Sequence, residues 1–571
     1  MIIHALNQLA TRLTEEGKLA APGFVPQNIS YCVILNQKGK LLQIQDLREG
    51  DKKPVLKSLS VPKGFKRSSG VASQCCWDNA QYIFGIDLEN KSDRIQKCFE
   101  SFVARHQELS RFGSSPTLEA LLKFLDSWQP LQSLENLPEF FPDEKELATA
   151  NFVFRLDGEK QYLHESPAIQ QGWSLLLDAL ETGQGVCLIT GEKAPIARLH
   201  PPIKGIPGGQ SAGVSLVSFN LNAFNSYGKE QSFNSPVSTL VTESYGKSLN
   251  YLLRYESEQK VNIGHVTHVF WSEKANVLEK SLLGFMAVKK KEGARDSLNE
   301  EIKQVMKALE IGRFPNAVET SQGFYILGLS PNAARVSVRY WLSSTLGEVF
   351  ESVKQHFEDL KIQSNFTDRP EFPSLSSLLL ETATLGKFEN INPNLDAGLT
   401  KAFLSGSPYP ATLLAAVLQR IRADGKINSN RAALIKGFLI RKARILNLTT
   451  EATVSLNKES SDPGYLLGRL FAILEKAQTD AHGGKVNATI KDRFYGSASA
   501  TPKMVFPLLL RGAQNHLKKA EWGHNLERLI QEVVDKLTSF PSHLHLEQQG
   551  LFALGYYHQI TDLFTKKNKG E

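Results

Sequence analysis

The sequence has no C-x-x-C pair. Its five cysteines, Cys32, Cys75, Cys76, Cys98 and Cys187, are an odd number scattered through 571 residues. That pattern excludes a disulfide framework and a structural zinc site, and it suits a reducing compartment. No run approaches the roughly 18 consecutive apolar residues of a membrane span. The opening stretch MIIHALNQLATRLTEEGKLAAPGF has apolar residues at helical spacing but neither the basic leader nor the apolar run of a secretory signal, so a cytoplasmic location is expected. Repeats of fixed period and low-complexity tracts are also missing, which argues against a solenoid.

With 41% hydrophobic and 22% charged residues the chain has a globular composition. Lys+Arg number 66 against 59 Asp+Glu, a net charge of only +7. Acids, however, are absent locally. From Lys193 to Lys229 the charged residues are Lys193, Arg198, Lys204 and Lys229, interspersed with Gly205, Gly208, Gly209, Gly213 and the amides Gln210, Asn220, Asn222 and Asn225. A glycine-rich backbone with unopposed positive charge suits close approach to phosphates and base edges. Val61 to Trp77 repeats the pattern with Lys63, Lys66, Arg67 and Gln74. Residues 401–450 hold nine cations against Asp424 alone, a local +8 larger than the whole chain's charge. On helices such charge predicts a face that tracks a nucleic-acid strand, the alternative being an ordinary solvated face.

The fold class expected is α+β. After an amphipathic first helix, Tyr31 to Asp46 reads as two strands joined at Asn36-Gln37-Lys38-Gly39. Helical periodicity follows at 91–110 and 116–131. The middle third reads as β-rich, with strands at NFVFRLDGE, GVCLITGE, GVSLVSFN and THVFWS. After Phe372-Pro373 the sequence becomes a succession of amphipathic helices, near 375–385, 409–422, 430–447, 463–478, 502–519, 524–539 and 546–565. The organisation predicted is a mixed α/β body over 1–372 and a helical bundle over 373–571.

Several motifs touch on catalysis. Gly209-Gln210-Ser211-Ala212-Gly213 matches the G-x-S-x-G elbow, but a Pro/Gly-rich loop precedes it and a predicted strand follows, the reverse of the required context. Tyr245-Gly246-Lys247-Ser248 ends like a phosphate-binding loop, yet Val241 stands where glycine is required. No H-E-x-x-H occurs, and His265 and His268 point to opposite faces of a predicted strand. Asp78-Asn79 has three readings: a metal-binding carboxylate without partners, a cap for the following segment, or, at Asn79, a donor to base edges. No catalytic residue, metal ligand or cofactor site is assigned.

Longer stretches carry a family resemblance. KRSSGVASQCCWDNAQYIFG (66–85), CLITGEKAPIARLHPPIKGIPGGQSAGVSLVSFNLNAFNSYGKEQSFNSPVS (187–238), YILGLSPNAARVSVRYW (325–341), YLLGRLFAILEKAQ (465–478), DRFYGSASATPKMVFPLLLRGAQNHL (492–517) and FALGYYHQ (552–559) resemble the large subunit of the type I-C CRISPR surveillance complex, Cascade. The resemblance implies a non-enzymatic subunit working with crRNA, target double-stranded DNA, the backbone, handle-binding and small subunits, and a separate helicase-nuclease. Such a subunit detects the protospacer-adjacent motif, helps open the duplex and holds the displaced strand as the R-loop forms. It also implies a C-terminal part like the Cascade small subunit. In type I-C systems that part is also made by internal translation; here the resemblance implies that it would begin near Val454 to Gly464, where the absence of methionine would require a non-AUG start or another boundary.

On this view Lys66, Arg67, Gln74, Asn79, Lys193, Arg198, Lys204 and Gln210 would recognise the motif and part the strands. Arg420, Arg422, Arg431, Arg441, Lys442 and Arg444 would line the displaced-strand path. The competing readings are a cryptic metal-dependent nuclease and a scaffold that binds crRNA alone.

Overall fold

The computed structural model describes residues 1–49, 55–65, 70–86, 92–130, 141–142, 144–180, 183–275, 282, 284–286, 304, 307, 319–365, 370–484 and 487–565. Two compact units divide the chain: Met1–Ile203 with Ser215–Tyr251, and Lys204–Val214 with Leu252–Glu571.

The first unit is built on a four-stranded sheet in the order β3-β2-β6-β5, where β2 is Tyr31–Leu35, β3 Leu41–Asp46, β5 Trp77–Asn79 and β6 Asn151–Leu156. β2 and β6 run parallel, and the outer pairs are antiparallel. The predicted turn at Asn36 to Gly39 joins β2 to β3, with Gly39 at φ +81°. β2 is buried on both faces, and the period of two sorts its side chains. Tyr31, Val33 and Leu35 meet Phe102, Leu121 and Phe124 from the helices Ser92–Leu109 and Pro116–Ser127, while Cys32 and Ile34 face Val61, Trp77 and Tyr162. A second ribbon pairs β1 (Phe24–Ile29) with β4 (Lys57–Pro62), and a small hairpin pairs β7 (Gln184–Val186) with β8 (Lys193–Pro195).

The middle third is less β-rich than its residues suggest. Pro167–Leu180 and Thr239–Leu253 are helices, and 213–220 contains no strand. GVCLITGE forms β7 and then a turn. THVFWS does form a strand, β10 (Val266–Ser272), within the second unit's antiparallel sheet β12-β11-β10-β9. Its neighbours are β9 (Lys260–Ile263), β11 (Gly323–Asn332) and β12 (Arg335–Thr345).

This sheet and the helices after it share one core. Phe270, Phe324 and Ile326 belong to the same apolar cluster as Phe403, Leu434, Phe471 and Phe552. Residues 372 and 373 therefore lie inside the second unit; what changes there is the start of the uninterrupted helical run. The helices are Leu375–Leu380, Pro393–Ser405, Ala411–Asp424, Ser429–Leu446, Pro463–Ala481, Ile490–Ala500, Pro502–Lys519, Gly523–Val534 and Leu546–Phe564. Pro393–Ser405 and Ile490–Ala500 went unseen in the sequence pattern, whereas the others match predicted helices. Pro463–Ala481 is the central helix, and its glycines allow Leu546–Phe564 to lie directly against it. A Cβ on Gly468 would sit 2.0 Å from the Phe552 carbonyl oxygen, and one on Gly555 2.2 Å from that of Tyr465.

Polar groups fasten this core. Asp359, buried near the end of the helix Leu346–Leu360, accepts from Arg441 Nε at 2.9 Å and from both terminal nitrogens of Arg444 at 2.7 Å. Buried Lys436 donates to the Asp359 carbonyl at 2.8 Å. Arg441 also donates to the Ala402 carbonyl at 3.0 Å and stacks 4.1 Å over the Tyr409 ring. Removing the carboxylate would strand a fully buried guanidinium. Asp359→Ala is thus expected to destabilise the protein by about 3 to 5 kcal/mol, and Arg444→Ala, at a half-exposed site, by about 1 kcal/mol or less. Urea unfolding of the two variants checks the order.

Buried histidines make the fold sensitive to acid. Burial holds His106, His164, His200 and His558 down to about 4 and pushes His356 well below its ordinary value. Between that value and the unfolded pKa of about 6.5, only the unfolded chain takes up these protons. Stability is therefore complete above about pH 6.5 and falls as pH drops toward 4. Melting temperatures measured from about pH 7.5 to 4.5 should fall steadily below 6.5; a flat profile to pH 5 would contradict the assignment.

Candidate nucleic-acid interface

In the first basic segment, Lys66, Arg67, Ser68 and Ser69 lie outside the described residues. Its flanks are drawn together by side-chain amide and carboxylate. The Gln74 amide accepts from Phe65 N–H at 2.7 Å and donates to the Phe65 carbonyl at 3.3 Å. Asp78 accepts from the backbone N–H groups of Gln74 and Asn79, each at 2.8 Å. Trp77 Nε1 donates to the Pro62 carbonyl at 2.8 Å. Gln74 is buried with both ends of its amide engaged, so the expectation that it reads base edges is corrected: its side chain is committed to the Phe65 backbone. Asp78 is likewise buried and bonded to backbone, which gives the nuclease reading no open carboxylate here. Asn79 is half-buried and starts the short helix Ala80–Ile83 without a side-chain cap, its Oδ1 left unpaired.

Cys75, Cys76 and His106 bring three potential metal-ligand atoms within 4.8 Å of one another. The donors do not suit an ion. His106 Nε2 already accepts from Cys76 N–H at 2.9 Å, and Nδ1 bonds the Phe102 carbonyl at 2.8 Å. Burial raises the Cys76 thiol well above its ordinary pKa and so disfavours the thiolate a metal would need.

The second segment is distributed over both units. In the first, Lys193 is exposed on β8 and Arg198 Nη1 donates to Gln231 Oε1 at 3.0 Å. In the second, Lys204 and Gln210 are exposed on a loop anchored by buried Ile206 and Val214. Gly205 at φ +81° is obligatory there, because a Cβ would come within 2.5 Å of the Leu253 carbonyl oxygen. Ser211 is exposed on this loop with neither strand before it nor helix after it, which disposes of the nucleophile elbow. The phosphate-loop look-alike is structural as well. Lys247 donates to the carbonyls of Ala21 at 3.0 Å and Phe24 at 2.8 Å, and Ser248 to that of Leu6 at 2.8 Å.

Among the described residues the +8 stretch is partly neutralised: its own Asp424 and three acids from other segments, Glu381, Asp359 and Glu547, pair with five of its nine cations. Arg431 is buried between Glu381, at 3.0 Å, and Asp424, at 2.6 Å. Arg441 is fully buried on Asp359. These two placements in the displaced-strand path are corrected: both guanidinium groups are inside the protein. The remaining four are engaged at its surface. Arg420 bonds Asp424 at 3.2 Å, Arg422 bonds Gln549 at 2.5 Å, Lys442 pairs with Glu547, and Arg444 pairs with Asp359.

A different helix displays uncommitted charge. Between Arg493 and Ala520 there is no acid, and the cations are Arg493, Lys503, Arg511, Lys518 and Lys519. Lys503, Arg511, Lys518 and Lys519 are exposed on the helix Pro502–Lys519, and among the described residues none is in an ion pair. Met504 and Leu508, 79% and 54% exposed, fall on the same face at i, i+4 with Arg511 at i+7, and Trp522, 62% exposed, lies just past the helix end. Cations interleaved with exposed apolar and aromatic groups suit a single strand, whose phosphates need neutralising and whose bases need surfaces to lie on. The missing acids over 493–520 are visible in the sequence, where the five cations are fewer than the nine at 401–450.

Among the described residues these surfaces combine exposed cations with exposed amide, apolar and aromatic groups. The family described as CRISPR-associated protein (Cas_Csd1) matches residues 6–564, and the chain belongs to it. The match spans nearly all of the protein and agrees with the resemblance to the type I-C Cascade large subunit. No curated protein matches the sequence.

The contrast between the two helical regions is measurable. Replacing Lys503, Arg511, Lys518 and Lys519 by Gln is expected to flatten the dependence of log affinity for single-stranded DNA on log salt by about 0.7 for each phosphate no longer neutralised. Replacing Arg420 and Lys442, which are paired with Asp424 and Glu547, should leave that slope nearly unchanged. Equal effects from the two sets would remove the distinction.

Proposed function

We propose that the protein is the DNA-recognition subunit of a type I-C CRISPR Cascade and carries out no chemistry of its own. In this reading it detects the protospacer-adjacent motif in duplex DNA, promotes strand opening and R-loop formation beside the crRNA, and helps recruit a separate helicase-nuclease. The observation that carries it is the acid-free stretch from Lys193 to Lys229, exposed over most of its length in a protein of this family. Long irregular segments of this kind are usually functional, and this one offers cations for phosphates together with exposed amides for base edges. Lys66 and Arg67, just after Phe65 in the sequence, would add phosphate contacts. The helix Pro502–Lys519 would take over from Arg431 and Arg441 in holding the displaced strand.

Motif reading and general DNA affinity are separable. In the assembled crRNA-guided complex, the double variant Lys204→Ala, Gln210→Ala should weaken binding to motif-bearing duplex several-fold more than binding to the same target already melted. Incubation of this complex with Mg²⁺ and without the helicase-nuclease should leave the DNA uncut. Equal losses on both targets would take Lys204 and Gln210 out of motif recognition. Crosslinks to crRNA but never to target DNA would favour the scaffold reading.

A further inference from the structure

Ser226-Tyr227-Gly228-Lys229 forms a tight turn, closed by a bridge between its ends with Lys229 N–H donating to the Ser226 carbonyl at 3.0 Å. Both central residues are left-handed, Tyr227 at φ +53° and Gly228 at φ +68°. That is the backbone of a type I′ turn, whose first central position ordinarily takes Asn, Asp or Gly. A tyrosine there carries backbone strain.

The turn is also braced. Asn234 Oδ1 accepts from Ser226 N–H at 2.9 Å, while its Nδ2 donates to the carbonyls of Lys229 at 3.0 Å and Gln231 at 2.9 Å. Gln231, itself at φ +45°, is held in turn by Arg198. All of this fixes a backbone whose aromatic ring is 97% exposed. A strained, rigid turn that leaves its largest side chain in water adds nothing to the core, and such an outlier points to a use outside the fold. Lys229 and the exposed amides of Asn222 and Asn225 flank it, and Glu230 is the first acid.

We infer that Tyr227 is a preformed stacking platform for an unpaired nucleobase of the opened target DNA. Every base presents a π-face, so an aromatic ring at a cationic tip takes one without needing its sequence. Because the turn is already ordered, binding there restricts little further conformational freedom. The inference rests on the DNA-recognition reading above and adds to it the residue that meets the base.

The test uses the assembled crRNA-guided complex containing wild-type chain, Tyr227→Ala, Tyr227→Phe or Tyr227→Gly. Its probes are a matched duplex, closed or pre-mismatched beside the adjacent motif, and the same duplex with 2-aminopurine at successive positions there. Ala and Gly should weaken binding to the closed duplex by roughly 5- to 100-fold and abolish the fluorescence change at one 2-aminopurine position, whereas Phe keeps both. The Gly variant relieves the backbone strain, so it should melt no lower than wild type and its weaker binding would not reflect misfolding. An Ala variant that binds and quenches like wild type overturns the stacking role and leaves the DNA-recognition reading standing. A wild-type complex that ignores matched duplex sinks both. Poor incorporation of the Ala variant into the complex, with unchanged DNA signals once incorporated, would make the tip a protein contact and also overturn the inference.

Discussion

Asp359 is the electrostatic anchor of the second unit. A buried carboxylate and a buried guanidinium are each costly alone, and their attraction offsets that cost only when geometry is good and other hydrogen-bonding groups are supplied. Here the Asp359 carboxylate takes Arg441 and both nitrogens of Arg444, its carbonyl takes Lys436, and Arg441 reaches the Ala402 carbonyl and the Tyr409 ring. Three cations of the helix Ser429–Leu446 are therefore committed to one residue of the helix Leu346–Leu360. Tyr409 in turn bonds His356 Nδ1 at 2.6 Å, and the coulombic field of Arg441 adds to burial in keeping that imidazole neutral. The helix that looks most like a nucleic-acid face by charge count is thus occupied with the interior.

This commitment limits which cations remain for a phosphate. A cation opposite an acid at hydrogen-bond distance is already neutralised, so it displaces few of the counterions condensed on a nucleic acid when a phosphate arrives. Arg431, between Glu381 and Asp424, is in that position, and those acids come from 50 and 7 residues away in the chain. The helix Pro502–Lys519 carries fewer charges, but among the described residues Lys503, Arg511, Lys518 and Lys519 face no acid. Pairing with acids thus removes Arg431, Arg441 and Arg444 from the region of highest charge density.

The sequence made most of the elements legible because their signals are local. Periodicity located the helices Pro463–Ala481, Pro502–Lys519, Gly523–Val534 and Leu546–Phe564, and the turn at Gly39 located β2 and β3. It failed where tertiary context decides. Gly213–Asn220 has the residues of a strand but no partner strand, while Thr239–Leu253 hides a helix behind a motif that imitates a phosphate loop. Gln74 and Arg441 are residue types that usually face solvent, and nothing adjacent to them announces Phe65 or Asp359 as partners. The family resemblance could name the role of the chain, yet the partners of individual cations depend on contacts across 82 and 85 residues.

A consistent division of labour among the amides follows. Gln74 and Asn234 each use their side chain to replace backbone partners missing in an irregular segment, the first bonding Phe65 and the second gathering Ser226, Lys229 and Gln231. A loop secured in this way needs no strand or helix to hold its shape, and its backbone polar groups are satisfied without a ladder. What remains directed to solvent at the second of these loops is Lys229, Asn222, Asn225 and the Tyr227 ring. Recognition groups on a mobile loop would have to be ordered at the moment of binding, and that entropy would be subtracted from their affinity. On a turn fastened from within by the Asn234 amide, the exposed groups would keep for a ligand most of what their contacts are worth.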